Sequence, residues 1–402
     1  MAGPGSRDAA VTLSDDTMQA IPPLAAGVAG FVAAFIVTLA TTPLVRTYAR
    51  RRGMVDRPEA RRVNKRAVAR GGGIAIAAGF VSVSLVMLAL DFGVGLHFVD
   101  ETSGVGVGQV VALLGGAVLA VGIGLLDDFL QLRARWQFLG QFILAGVAVA
   151  LGVTVASVNF PLAPKGTLSL AGLWPVAAVA AVFWIVAMVN SINFIDGLDG
   201  LSTGIALIAA LTLGTLSLGP GTDEPFVALF CFILAGALAG FLRWNFHPAA
   251  IFSGTSGIMC VGYSLAVLSI LGAGKIAVAL LVLGVPIMDT FWTVIRRTAA
   301  GRSPFAPDRG HIHHRLLDLG LSHRNTVLLI YGVCVVLAVM SLVLSGTGQM
   351  YAFLGLIVLF GLALFLIERL GGGANAIEES LDASSYAASS GGDGENGDGA
   401  SE

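Results

Sequence analysis

One pattern recurs along the whole chain: an apolar run near the length of a bilayer crossing, then a short polar loop. A hydrocarbon core about 30 Å thick needs about 20 helical residues, and each run is near that length. About eleven such segments can be read by length and hydropathy. They are Leu24–Val45, Gly72–Leu90, Gly108–Leu126, Phe138–Val158, Leu173–Val189, Leu201–Leu218, Phe226–Leu242, Ile258–Leu271, Ile276–Ile295, Val327–Leu344 and Tyr351–Ile367. The eighth is short and can start inside the loop before it. Composition agrees: 56% of residues are hydrophobic and 12% charged, which a soluble domain hardly reaches. The expectation is an all-α polytopic membrane protein with no soluble domain. Residues 1–20 are polar and lack the basic start and short apolar core of a signal peptide. That segment and the Gly-, Ser- and acid-rich tail 371–402 should be disordered, flanking a transmembrane domain over 21–370.

Loop charge sets the orientation. The loop Arg46 to Arg70 holds ten Lys and Arg residues. Arg133 and Arg135 follow the third segment. Arg296, Arg297, Arg302, Arg309, Arg315 and Arg324 follow the ninth. The intervening loops are nearly bare. Odd-numbered loops are therefore cytoplasmic, which puts the N-terminus outside and the C-terminus inside. A net charge of -2 gives no reason to expect a nucleic-acid partner. Cys231, Cys260 and Cys334 lie inside apolar runs, with no metal or disulfide spacing, and read as packing residues.

Polar residues cluster where the segments end. The central stretch is Asn190-Ser-Ile-Asn193-Phe-Ile-Asp196-Gly-Leu-Asp199-Gly-Leu201. Two carboxylates and two carboxamides at the mouth of an apolar environment are costly unless a metal or ligand compensates. Gly197 and Gly200 disfavour a continuous helix, so a helix end should open into a tight loop there. A polar turn with caps is the bland alternative. Asp127-Asp128 close the third segment. Adjacent helical residues point about 100° apart. One acid would then bind metal while the other meets substrate or a supporting group, and a solvated helix cap is the competing reading. Oxygen ligands of this kind suit magnesium. His311-Ile-His313-His314-Arg315, with Asp308-Arg309 before it, makes a cationic, hydrogen-bonding pocket suited to a diphosphate or sugar hydroxyls. Zinc is a weaker reading of these histidines, and a basic loop at the headgroups a third. Trp244-Asn245 and Gly254-Thr255-Ser256-Gly257 flank the loop after the seventh segment. Gly71-Gly72-Gly73 suggests close backbone approach or a phosphate nest. His97, His247 and His323 carry no assigned role, although His247 could make a loop contact. All the clusters lie on the positive side, as a single cytoplasm-facing active site would require.

Together these stretches resemble the polyprenyl-phosphate N-acetylhexosamine-1-phosphate transferases, over nearly the whole chain between the tails. The family's Asp-Asp pair is matched by Asp127 and Asp128. Its Asn-x-x-Asn-x-x-Asp-Gly-x-Asp-Gly-Leu stretch is matched from Asn190 to Leu201, and its His-Ile-His-His-Arg-Leu loop from His311 to Leu316. Val285-Pro286-Ile-Met-Asp289-Thr-Phe, Arg296-Arg297 and Ser303-Pro304-Phe305 also fit. The His-Ile-His-His form is similar to the N-acetylglucosamine-type members rather than to the peptidoglycan-precursor translocases. The chain departs from the family pattern in its loops. Thr255 stands where the family usually has an aspartate, regarded as a metal ligand and sometimes a nucleophile. Asn64 stands for a histidine, and Ala67 and Ala69 for prolines.

The resemblance implies transfer of a sugar-1-phosphate from a UDP-N-acetylhexosamine to polyprenyl phosphate, with UMP leaving and a cell-envelope glycan primed. It implies a multi-pass plasma-membrane enzyme, active at the cytoplasmic face, using Mg2+ or Mn2+, with a homodimer compatible. Asp127, Asp128, Asp196 and Asp199 would be catalytic, with Asp128, Asp196 and Asp199 on the metal. Asn190, Asn193, Asn245, Arg297, His311, His313, His314 and Arg315 would hold substrate. Thr255 keeps open a non-catalytic relative that only binds nucleotide sugar or lipid. A secondary transporter is disfavoured, because the acids gather at one face rather than at the midplane.

Overall fold

The structure is a computed structural model. It describes residues 22–56, 67–94, 104–159, 167–170, 172–219, 224–272, 276–299, 301, 311–344, 348–363 and 366. The expected disordered tails lie outside these residues, as do Asn64, His97, Lys165 and the stretch from Arg302 to Arg309.

The described chain is an all-α polytopic membrane protein. Its helices are α1 (Pro23–Arg51), α2 (Gly73–Val94), α3 (Val107–Leu130), α4 (Ala134–Ala150), α5 (Trp174–Ile195), α6 (Leu201–Ser217), α7 (Pro225–Asn245), α8 (Gly254–Leu271), α9 (Ile276–Val282), α10 (Gly284–Ala299), α11 (Ile312–Asp318) and α12 (His323–Val343). A further apolar helix covers Gly348–Ala363. Each of the apolar segments read from the sequence contains a helix, but the fourth, expected over Phe138–Val158, is helical only to Ala150 and gives way to β-structure at Ser157. Among the described residues, seven helices are long and apolar enough to cross a membrane, and the α9–α10 pair makes up to eight. The eighth segment begins four residues earlier than its apolar run, inside the preceding loop, at Gly254.

The ninth segment is not one straight span. It breaks between Val282 and Gly284 and turns through 78°. Pro286 has no N–H to give the turn before it, and Gly284 adds backbone freedom, a combination that kinks helices. Beyond the break, α10 buries Asp289, Thr293 and Arg297, spaced four apart on one face. That face packs toward the end of α5.

Helices α7 and α8 are buried nearly all round, and α1, α2, α3, α5 and α6 surround them. The outer helices leave Leu, Val, Phe and Trp side chains exposed, including Phe183 on α5 and Val336 on α12, as lipid contact requires. The loop after α1 returns as a short antiparallel pair, β1 (Val55–Asp56) with β2 (Val68–Ala69). Ala69 then bridges to Ile251, and Gly72 and Gly73 donate to the carbonyls of Phe252 and Ser253 at 3.0 Å each. The triple glycine thus serves close backbone approach. A Cβ on Gly73 would strike the backbone of Ser256 and Gly257. A second short pair, β3 (Ser157–Asn159) with β4 (Thr167–Ser169), joins α4 to α5.

Candidate active site

The ends of α3, α5 and α7 and the starts of α8 and α12 converge, with α11 laid beside them. Asp127 and Asp128 occupy the last turn of α3, and both are buried. The pair divides its work. Asp128 Oδ1 accepts from the Thr255 amide at 2.8 Å, and Oδ2 from the Ser256 amide at 3.1 Å and hydroxyl at 2.7 Å. It therefore caps the first turn of α8, where amides lack helical partners and the dipole favours an anion. Asp127 Oδ1 accepts from Leu132 N and Gln137 Nε2 at 2.8 and 2.9 Å. Its Oδ2 accepts from Thr255 Oγ1 at 2.5 Å. The threonine at the family's aspartate position thus donates a hydrogen bond to an acid instead of adding a third one.

Helix α5 ends at Ile195, and the chain turns through Gly197 and Gly200, the latter at φ 79°, before α6. This is the tight loop expected at Asn190–Leu201. Asp196 Oδ2 accepts from Ser253 Oγ at 2.9 Å, and Oδ1 from Ser202 Oγ. Burial lifts its pKa from 3.8 to about 6; the two serines and the Arg70 charge oppose the rise, and Asp128 adds to it. Arg70 also lies within electrostatic reach of Asp128 and pairs with Asp56 at 2.8 Å. Arg70 is thus a cation beside the acids that the sequence concealed among the ten basic residues of its loop.

Asp199 goes elsewhere. Its Oδ2 accepts from His247 Nδ1 at 2.8 Å and Ala249 N at 3.0 Å, and His323 lies beside it. Asp128, Asp196 and Asp199 therefore do not form one three-ligand group. Among the described residues, the group that gathers is Asp199, His247 and His323. Helix α5 ends before Asp196 and both acids lie in the turn, so their three-residue spacing no longer places them on one face.

Five histidines collect here. His247 stacks on His323 with ring centroids 4.1 Å apart, and His313 lies 5.7 Å from His311 and 4.4 Å from His314. His311 donates from Nδ1 to Asp289 Oδ2 at 2.7 Å, and the Ile312 amide donates to Asp289 Oδ1 at 2.9 Å. Asp289 is 1% exposed and fixes both the ring and the start of α11. His311 also stacks on Phe194, whose ring carries Arg297 6.0 Å from its centroid. His313 is 1% exposed, and neither ring nitrogen has a hydrogen-bond partner. Burial pushes it well below its ordinary pKa, helped by His314, His311 and His323, so it stays neutral. An orphaned imidazole is costly, and a ligand that hydrogen-bonds to it recovers that cost.

The carboxamides divide. Asn193 is half-buried near the turn, and its amide has no partner among the described residues. Asn190 is buried and donates to Gln141 Oε1 at 2.6 Å and Val186 O at 2.7 Å. Asn245 accepts from Thr203 Oγ1 at 2.9 Å and donates to Ile251 O at 3.0 Å. Asn190 ties α5 to α4, and Asn245 ties α7 to α6 and the following loop. Their amides are engaged in holding the frame.

The described helices thus bring acids, histidines and arginines together around the ends of α3, α5 and α7. The Glycosyl transferase family 4 model matches residues 110–273. Over 345 residues the chain is 35% identical to a probable undecaprenyl-phosphate N-acetylglucosaminyl 1-phosphate transferase of Bacillus subtilis, covering 83% of this chain and 90% of the relative. It is 36% identical to the decaprenyl-phosphate N-acetylglucosaminephosphotransferase of Mycolicibacterium smegmatis, over 92% of this chain and 96% of that one. The undecaprenyl-phosphate alpha-N-acetylglucosaminyl 1-phosphate transferase of Escherichia coli K12 is 26% identical, over 83% of this chain and 88% of its own length. The chain belongs to glycosyl transferase family 4.

Proposed function

We propose that the protein transfers N-acetylglucosamine-1-phosphate from UDP-N-acetylglucosamine to a polyprenyl phosphate and releases UMP. The relatives' names support the sugar and the lipid acceptor. The observation that carries the reading is the meeting of Asp127, Asp128, Asp196 and Arg70 with the His311–Arg315 helix at one face. Acids alone would repel two phosphorylated substrates, and cations alone would bind them without orienting a metal. This mixed set suits phosphoryl transfer, where positioning and charge neutralisation provide most of the rate.

Magnesium, with manganese as substitute, fits the acid cluster. Its donors are all oxygens, and burial disfavours the charged form of Asp196, a cost that a cation beside it would offset. Asp196 with one acid of the Asp127–Asp128 pair would hold it together with substrate oxygens, and it would neutralise charge on the donor's diphosphate. Arg70, Arg297 and Arg315 orient the phosphates, neutral His313 bonds a sugar or phosphate oxygen, and Asn193 contacts the nucleotide. The acceptor phosphate attacks the sugar-linked phosphorus, and UMP departs toward the cytoplasm. We take the protein to cross the plasma membrane eleven times, N-terminus outside, with this face cytoplasmic. A cysteine introduced at Glu101 should label from outside intact cells, and one at Asp308 only after permeabilisation.

The test is magnesium-dependent UMP release by the purified protein, given polyprenyl phosphate and UDP-N-acetylglucosamine. A second reading rests on Thr255, whose hydroxyl already satisfies Asp127: a relative that binds the substrates without turnover. Substrate binding with no UMP at any magnesium concentration would favour it.

A further inference from the structure

We propose that Asp199, His247 and His323 form a binding site for a divalent transition metal of the zinc type, separate from the acid cluster. Three segments meet there: the turn after α5, the loop after α7 and the first residue of α12. Each contributes one ligand atom, a carboxylate oxygen and two imidazole nitrogens, all within 4.8 Å of one another. Two imidazoles and a carboxylate select zinc-like ions over magnesium, and this set with an open fourth position recurs in zinc sites.

Two further observations point to an ion. His323 Nε2 is buried and has no hydrogen-bond partner. A desolvated nitrogen beside a carboxylate is a vacant donor to a cation. Asp199 Oδ2 is steadied by the Ala249 amide at 3.0 Å, an outer contact of the kind that orients ligating carboxylates. In the metal-free arrangement a proton lies between Asp199 and His247 Nδ1, 2.8 Å apart. An ion would replace that proton. Tetrahedral zinc ligands lie about 3.3 Å apart, so a group within 4.8 Å must close by about 1.5 Å at most. The rings are stacked at 22°, and one must tilt to aim at a shared ion. His247 has room to do so, with 41% of its side chain exposed. The bound ion would clasp the three segments and fix Asp199 next to the Asp196 turn.

The experiment uses the full chain without a histidine tag, stripped with a chelator and reloaded with zinc alone. One equivalent should remain after dialysis, with thermal stability rising with zinc concentration. His247→Gln and His323→Gln should each weaken zinc affinity at least ~10-fold, the loss that removing even an outer partner brings. Asp196→Asn and His313→Gln should keep the equivalent. X-ray absorption on zinc-loaded wild type should show two imidazoles, which needs no variant to fold. Absence of retained zinc, or zinc that survives both His→Gln changes and is lost in His313→Gln, would overturn the proposal. Magnesium-dependent UMP release is read separately, so the transferase reading can fail while this site stands, or the reverse.

Discussion

Replacing Thr255 with aspartate tests how the acid cluster is balanced. In the wild type, Thr255 Oγ1 donates to Asp127 Oδ2 at 2.5 Å, and the Thr255 amide donates to Asp128. Thr255→Asp removes a hydrogen bond to a charged acceptor, a loss of about 1.5–3 kcal/mol. It also sets a third carboxylate about 4 Å from Asp127, a repulsion of about 4 kcal/mol at an effective dielectric near 20. Uptake of a proton relieves part of that repulsion. The net cost without metal should be about 3–5 kcal/mol, roughly twice that of Thr255→Val, which loses only the hydrogen bond. Magnesium should narrow the gap. At a hundredfold excess over its dissociation constant, a bound ion restores about 2.7 kcal/mol. The assay is thermal unfolding in detergent across a magnesium series for wild type, Thr255→Val and Thr255→Asp. Turnover is measured alongside, and Thr255→Asp should reach half-maximal rate at lower magnesium. A Thr255→Asp protein as stable as wild type without metal, and insensitive to magnesium, would refute the reasoning.

The remaining expectations concern single groups. Asp196, raised to about 6 by burial, is protonated in the folded protein across a window where the unfolded chain is already ionised. Its contribution favours the folded state at low pH and is lost as pH rises from about 4 to about 6. Magnesium affinity should rise over the same interval, and Asp196→Asn should abolish that acid limb in a pH–rate profile. Gly197→Ala drives a methyl into the buried ring of His313; turnover should drop at least ~10-fold, and Tm should fall with it by an amount that reflects about 1–3 kcal/mol of overpacking. Asp289→Asn weakens the anchor of His311 Nδ1 and the start of α11; turnover should fall about 10- to 100-fold, measured with UDP-N-acetylglucosamine at saturation.

The helices were legible because lipid imposes length and hydropathy on each one separately, as α2 and α12 illustrate. The break before Gly284 was not, since Pro286 and Gly284 read as an ordinary apolar run until α10 must turn Asp289 inward. The site clusters were legible as polar islands. Their inner division was hidden, because the backbone turn at Gly197 decides which partner each acid meets. Asp196 and Asp199 look equivalent in sequence, yet one meets two serines and the other a histidine pair. His247 and His323 lie 76 positions apart and stack only through tertiary contact, so no spacing could announce them. Asn190 and Asn245 show the converse: carboxamides beside a site that serve its frame.

The cap that Asp128 places on α8 has a consequence for how negative charge is received. Helix beginnings are ready-made anion cradles, and nucleotide-binding proteins often lay a phosphate on one. Here that cradle is already filled by the chain's own carboxylate, which takes two amides and a hydroxyl. On the proposed reading, an arriving phosphate must look to cationic side chains instead. Those would have to serve a lipid-borne phosphate that enters sideways from the bilayer and a soluble nucleotide that enters from water. Rigid amides would favour one approach; long arginines can serve both.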